Sequence, residues 1–145
     1  MNADATLETQ LDTQLALALK AHQAGHLEEA EDLYVAILQA QPYHAIANHN
    51  MGLLAGQVGQ FRAGLPYLRK ALSVNPDEGQ FWLSLADGLL KAGERDEALD
   101  IIDTAIGRGL DNDQAQTLRE RIAAAIAAAP TADENASKDI GEVLE

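Results

Sequence analysis

Apolar residues in this chain recur at helical spacing, and the helices they predict recur in turn. The clearest single stripe is Ala115, Leu118, Ile122 and Ile126, at i, i+3 and i+4 steps. It predicts a helix from 112 or 113 to 129, with Asp113 as its cap. Upstream the pattern follows a longer period. Pro42 and Pro76 lie 34 residues apart, and setting each at position 32 of a repeat gives starts at Leu11, Ala45 and Gly79. Position 8 is then always small (Ala18, Gly52, Ala86), and so is position 20 (Ala30, Gly64, Ala98). Position 7 is Leu17, Met51 and Leu85, position 24 is Tyr34, Leu68 and Ile102, and position 15 is Gly25, Gly59 and Gly93.

Each recurrence has a physical reason. Small residues at positions 8 and 20 let two antiparallel helices approach closely, and a large apolar residue at 24 fills the space between hairpins. Glycine at 15 supplies the left-handed residue that ends a helix. Proline at 32 stands where the second helix must stop. The predicted helices span about 6–24, 28–40, 45–58, 62–74, 79–92 and 95–108, followed by the helix to 129.

Trp82, Leu85, Ala86, Gly93, Ala98, Pro42 and Pro76 together resemble the tetratricopeptide repeat family, in a bacterial-type array. The resemblance covers residues 11–112. It implies an all-α fold, a right-handed superhelix of three helix-turn-helix repeats (11–44, 45–78, 79–112) plus a C-terminal capping helix at 113–129. Residues 1–10 extend the first helix, where Leu7, Leu11 and Leu15 are the candidates to shield the open end. Residues 130–145 are expected to form a disordered acidic tail. Several positions depart from the family pattern. Gln14 and Asn48 stand where repeat 3 has Trp82, Gly64 replaces alanine, and repeat 3 lacks the terminal proline. Pro66 is expected near the first turn of its helix, where a missing N–H costs little.

The composition fits this reading. The chain is 47% hydrophobic but only 4% aromatic, and rich in Ala and Leu, which favours helix over sheet. The net charge of −13 disfavours nucleic acid and anionic lipid as partners and is otherwise explained by solubility. Without cysteine there can be no disulfide, thiolate catalysis or Cys-ligated zinc. Neither a secretion signal nor an apolar run long enough to span a membrane is present, so a cytoplasmic location is expected. Asn135-Ala136-Ser137 is then a chance match to a glycosylation acceptor.

No phosphate loop, nucleophile elbow or His-Glu-x-x-His motif occurs, and the chain is read as non-catalytic, without cofactor. His22, His26, His44 and His49 are the candidate metal ligands. His22 and His49 sit at positions 12 and 5, about 10 Å apart along parallel helices. Together with the lack of an obvious fourth ligand, this argues against a metal site. Acids such as Glu28, Glu29, Glu94 and Glu97 open helices, where the macrodipole favours them.

The resemblance further implies that positions 2, 5, 9 and 12 line a concave groove. The candidate partner-binding residues are Leu15, Leu19, His22, Ile46, His49, Asn50, Leu53, Leu83, Asp87 and Leu90. Their apolar character suits a protein partner presented as an amphipathic helix with basic flanks or as an extended segment. The family's carboxylate clamp is not matched: Leu15, Leu19, Asn50, Gln80 and Ser84 occupy its five positions, without a cation. Arg62, Arg69 and Lys70 form a basic island expected on the convex side. Two alternatives to a peptide-binding scaffold stand beside it. One is the non-catalytic repeat domain that precedes a glycosyltransferase or sulfotransferase domain. The other is a self-assembling homo-oligomer.

Overall fold

The computed structural model describes residues 3–129. They form seven helices: α1 (Ala3–Gln23), α2 (Leu27–Ala40), α3 (Ala45–Gln57), α4 (Phe61–Val74), α5 (Gly79–Lys91), α6 (Arg95–Gly107) and α7 (Asp113–Ala128). The helix map predicted from the period agrees closely, except that α1 begins at Ala3 rather than near residue 6. The predicted acidic tail and Asn135 lie outside the described residues.

Consecutive helices pack as hairpins, α1 on α2, α3 on α4 and α5 on α6, and each hairpin packs on the next; α7 closes the stack against α6 and α5. The three glycines at position 15 adopt φ of 83°, 80° and 87°, a region closed to most side chains, so the first helix of each hairpin ends there. In the third hairpin, which lacks proline, Gly109 at φ 112° follows α6 instead. Asn112 rather than Asp113 caps α7: its side-chain oxygen accepts the Ala115 N–H at 2.9 Å.

Two apolar clusters run through the stack. Ala18, Ala30, Tyr34, Ile37, Ala47 and Met51 anchor the first. The second holds Leu68, Leu85, Leu89, Ile102, Leu118 and Ile122, so the α7 stripe is buried as its spacing predicts. Position 7 behaves differently in the first hairpin. Met51 and Leu85 are buried, whereas Leu17 is 51% exposed, because α1 is the first of the described helices and none of them covers this face. Of the residues expected to shield this end, Leu11 is buried, Leu15 packs against the first cluster and Leu7 remains exposed.

Two departures in the sequence acquire reasons. Trp82 donates its indole N–H to the Pro76 carbonyl at 2.8 Å. Asn48, at the equivalent place, donates its amide to the Pro42 carbonyl at 3.0 Å and to His44 at 2.9 Å. Asparagine keeps the polar link to the end of the preceding hairpin and gives up the aromatic volume. Pro66 requires a correction. It is the sixth residue of α4, beyond the first turn, so the Arg62 carbonyl loses its helical donor. The ring is exposed, and solvent can take the place of that N–H.

The basic island is tied to the neighbouring hairpin. Arg62 bridges Glu94 at 2.8 Å and the Ala92 carbonyl at 2.9 Å, where α5 ends. Arg69 grips Glu97 with both guanidinium nitrogens, which lowers the Glu97 pKa. Lys70 lies over the Tyr43 ring at 5.3 Å. Exposed pairs of this kind fix orientation more than they add stability, at about 0–1 kcal/mol each.

Candidate groove between the first helices

Because the first helix of each hairpin shows one stripe to its own partner and another to the same side of the stack, α1, α3 and α5 share a face that α7 continues. Three cavities open on this face. One, of about 550 Å³, lies between α3, α5 and the first half of α7, with Leu53, Leu83, Leu118, Asp87, Lys91 and Arg121 among its walls. A second, of about 340 Å³, has Gly52, Gly56 and Gly88 in its walls together with Leu53, Phe61 and Leu68. The third, of about 330 Å³, lies between α1 and α3 and is bounded by Leu19, His22, Gln23, Asn50, Leu53 and Gln57. Leu53 is common to all three and is 38% exposed.

The residues predicted to line the groove divide by depth. Leu19, His22, Asn50, Leu53, Leu83 and Asp87 line these cavities. Of these, Asn50 and Leu83 are themselves buried, Leu83 within the second cluster, while Leu15 and Leu90 are half-buried against the two clusters. Ile46 is exposed but borders none of the three, and His49 is buried. A groove-facing helix position near the hairpin interface can point either way, and periodicity alone does not separate the two.

Polar contacts hold the walls. Gln57 Oε1 can only accept, so His22 Nε2 carries the proton that reaches it at 2.6 Å, and His22 Nδ1 accepts from the Tyr34 hydroxyl at 2.9 Å. This chain joins α2, α1 and α3. Further along, Gln80 donates to Ser84 at 3.3 Å, and Ser84 lies 2.7 Å from His49 Nε2, whose ring packs on Phe81. Burial pushes the His49 pKa down, against smaller opposing effects of Asn50 and Glu78. The neutral ring is therefore the folded form. The Ser84–His49 contact does not make a nucleophile: both groups are buried, and the residue bonded to the ring is the neutral Asn50.

A pH dependence follows from His49. A base whose folded pKa is depressed binds fewer protons folded than unfolded, so its contribution is complete above about pH 6.5, the unfolded value. It is lost as pH falls below that value toward the folded pKa. Denaturant titrations at pH 7.5 and 5.0 should show wild type losing stability toward acid by at most about 1.4 kcal/mol per pH unit from this group. His49→Gln should lose less across the same interval; equal slopes would remove His49 as the cause.

The remaining histidines have other duties. His44 caps α3, its Nδ1 accepting from Ala47 N–H at 3.1 Å, and His26 stands exposed 3.7 Å from Glu29. Among the described residues no group of three or more His, Asp or Glu is arranged to hold a metal. None of the described helices is long and apolar enough to cross a membrane.

The sequence reading missed the cations. Lys91 lies 2.8 Å from Asp87 Oδ2 and Arg121 3.5 Å from Asp87 Oδ1, so the partly buried carboxylate stands between two positive groups inside the largest cavity. A signal for each was present. Lys91 follows Asp87 at i+4. Gln114, Thr117 and Arg121 form a polar i, i+3, i+7 row beside the buried stripe of α7.

Comparison with known proteins places this arrangement. Residues 57–122 match the family model described as Tetratricopeptide repeat. No curated protein sequence matches the chain. Among solved structures, the first repeat domain of Spaghetti (RPAP3), bound to the HSP90 peptide SRMEEVD, superposes with a TM-score of 0.76 at 17% identity, covering 83% of this chain and 95% of that one. The Yersinia enterocolitica type III secretion chaperone SycD, in complex with a peptide of the translocator YopD, gives 0.68 at 21% identity, covering 83% and 92%. The Thermobaculum terrenum O-GlcNAc transferase gives 0.72 at 23% identity, covering 84% of this chain but 23% of the enzyme. At these identities the structures speak to the fold, and the fold is that of an all-helical repeat domain. The 34-residue period and the position-15 glycines agree with the family match, and residues 57–122 carry the tetratricopeptide repeat.

Proposed function

We propose that this protein is a non-catalytic interaction scaffold that holds a segment of a partner protein, helical or extended, in the groove formed by α1, α3, α5 and the start of α7. The observation that carries this reading is Leu53, a large apolar side chain left 38% exposed at the meeting point of three cavities. Such a side chain gains about 25 cal/mol for each Å² of apolar surface a partner covers. The relatives that share the fold and carry peptides of HSP90 and of a translocator support a peptide as the class of partner. In the largest cavity Lys91 and Arg121 add cations to what the sequence suggested as an apolar groove with an acidic rim, so an acidic residue beside the partner's apolar anchors is accommodated there.

Leu19→Glu combined with Leu53→Glu tests the assignment. Each glutamate would place a charge in an apolar wall, and partner recovery in a pull-down should fall at least tenfold while the helical circular dichroism spectrum is retained. Unchanged recovery by the folded variant would sink the groove assignment.

A second reading is the repeat domain of a longer enzyme, favoured by the likeness to less than a quarter of an O-GlcNAc transferase. The coding sequence downstream of Glu145 decides it: a transferase domain in the same frame supports it, and a stop codon removes it.

A further inference from the structure

We infer that the cavity between α3 and α5 is a socket for one aromatic side chain of the bound segment, opened by Gly56 and Gly88. The inference rests on the groove reading above and names the anchor that reading leaves open. Its first support is a comparison within the chain. Each residue bordering the cavity between α1 and α3 has a counterpart 34 positions on in the wall of the cavity between α3 and α5. The two are one site, repeated. The second, however, also reaches down to the following helix, at Phe61 and Leu68. Three positions explain the difference. His22 gives way to Gly56 at position 12, Leu54 to Gly88 at position 10, and Tyr34 to Leu68 at position 24. In the first site the Tyr34 and His22 rings meet edge to face, 5.7 Å apart between centroids, and Leu54 is buried. In the second those two rings have no counterpart, and a ring from outside supplies the volume they would fill.

The second support is size and lining. The cavity holds about 340 Å³. An apolar cavity of about 150 Å³ is enough for benzene, so a ring and its stem fit. Leu68, in its floor, is a buried member of the second core cluster, so a ring seated there continues the core outward. Leu68 already takes up the space that Cβ atoms on Gly52 and Gly88 would need. Beside Gly56 the space stays open, and a Cβ there would meet only the Phe61 ring, at 3.6 Å. A second ring against Phe61 gains an aromatic contact beyond the area it buries. Valine or leucine would suit the lining but leave more of the volume empty, and walls without neighbours forfeit their contacts.

The third support is charge. Asp87 and Lys91 are the charged residues in this wall, and they pair with each other at 2.8 Å. Lys91 also lies 5.9 Å from the centre of the Phe61 ring. A charged anchor would leave water for a site whose opposite charge is already engaged, and an uncharged ring bears no such cost.

The test uses N-acetylphenylalaninamide as the probe, titrated at millimolar concentration into the isotope-labelled full chain. It should shift the amide signals of Gly52, Gly56 and Gly88 and move the Leu68 methyl signals upfield, the mark of a ring lying over them. N-acetylalaninamide at equal concentration should leave them in place. Gly56→Leu, which fills the cavity from its own wall, should weaken the phenylalanine probe at least tenfold while the helical circular dichroism spectrum is retained. Gly56→Ala adds a single carbon at an ordinary contact distance, and its effect should have the same sign and be smaller, which keeps the test open if the larger side chain unfolds the protein. Equal shifts with both probes, Leu68 methyl signals that stay in place, or undiminished probe binding by the folded Gly56 variants would each overturn the inference. Partner recovery separates it from the reading beneath it. If Leu19→Glu, Leu53→Glu abolishes recovery while folded Gly56→Leu leaves it unchanged, the groove stands and the socket falls.

Discussion

Gly64→Ala, a change that restores the alanine found at the same position in the hairpins on either side, is expected to destabilise the protein by about 1–3 kcal/mol. Helix propensity argues the other way, since alanine in a helix interior is worth about 1 kcal/mol over glycine. Packing decides the sign. A Cβ on Gly64 would stand 2.9 Å from the Gly52 carbonyl oxygen and 3.1 Å from the Ala55 Cβ. The first of these contacts is backbone and cannot rotate away, so α3 and α4 must separate. Gly52 explains why glycine is needed on both helices: its own Cβ would run into the Leu68 side chain. The two glycines let α3 and α4 approach more closely than the alanine pairs Ala18–Ala30 and Ala86–Ala98 allow. Gly56→Ala is the control. There a Cβ meets Phe61 at an ordinary 3.6 Å, and a gain of about 0.5–1 kcal/mol is expected. Urea titrations read both from the midpoint at unchanged slope. A raised midpoint for Gly64→Ala would show that the hairpin opens at no cost.

What could be read from the sequence, and what could not, follows from the same distinction between period and depth. A residue repeated every 34 positions for a backbone reason is visible without a structure. Gly25, Gly59 and Gly93 predicted their turns because only a left-handed residue fits there. The stripe Ala115, Leu118, Ile122 and Ile126 predicted a closing helix because the last hairpin leaves an apolar face uncovered. Depth is a property of neighbours, and the period says nothing about it. Leu17 shares position 7 with Met51 and Leu85, yet it stays exposed because none of the described helices packs over that face of α1. Leu53 and Leu83 both stand at groove positions, yet Leu53 is left exposed while Leu83 is a buried member of the second cluster. Chemistry that crosses the repeat boundary was hidden for a third reason. Arg121 belongs to a helix outside the period, and its approach to Asp87 joins residues 34 positions apart in different kinds of element. Asn48 read as a lost tryptophan, because a sequence pattern scores the ring and not the N–H that both side chains give to a proline carbonyl.

Tyr34 is the side chain whose removal should cost most in the first half of the stack. It is fully buried between α1 and α3 and also donates to His22, which in turn reaches Gln57. Tyr34→Ala is expected to lose about 3–5 kcal/mol, the usual result of deleting a buried ring. Tyr34→Phe keeps the ring and removes only the hydroxyl. Its expected cost is about 0.5–1.5 kcal/mol, because the half-buried His22 can turn part of its lost bond over to solvent. Comparing the two substitutions therefore separates the volume from the hydrogen bond. The hydroxyl has a second signature. Burial raises the Tyr34 pKa from 10.0 to about 12, so the unfolded chain releases this proton first as the solution is made alkaline. An acid with a raised folded pKa contributes fully below the unfolded value of about 10 and loses its contribution as pH rises from there toward the folded value. Denaturant titrations between pH 9 and pH 11.5 should show wild type falling more steeply than Tyr34→Phe, so that the stability gap between them narrows with alkali. Parallel curves would mean that the phenol is no more buried than a free tyrosine, and the link from α2 through His22 to α3 would have to be abandoned with it.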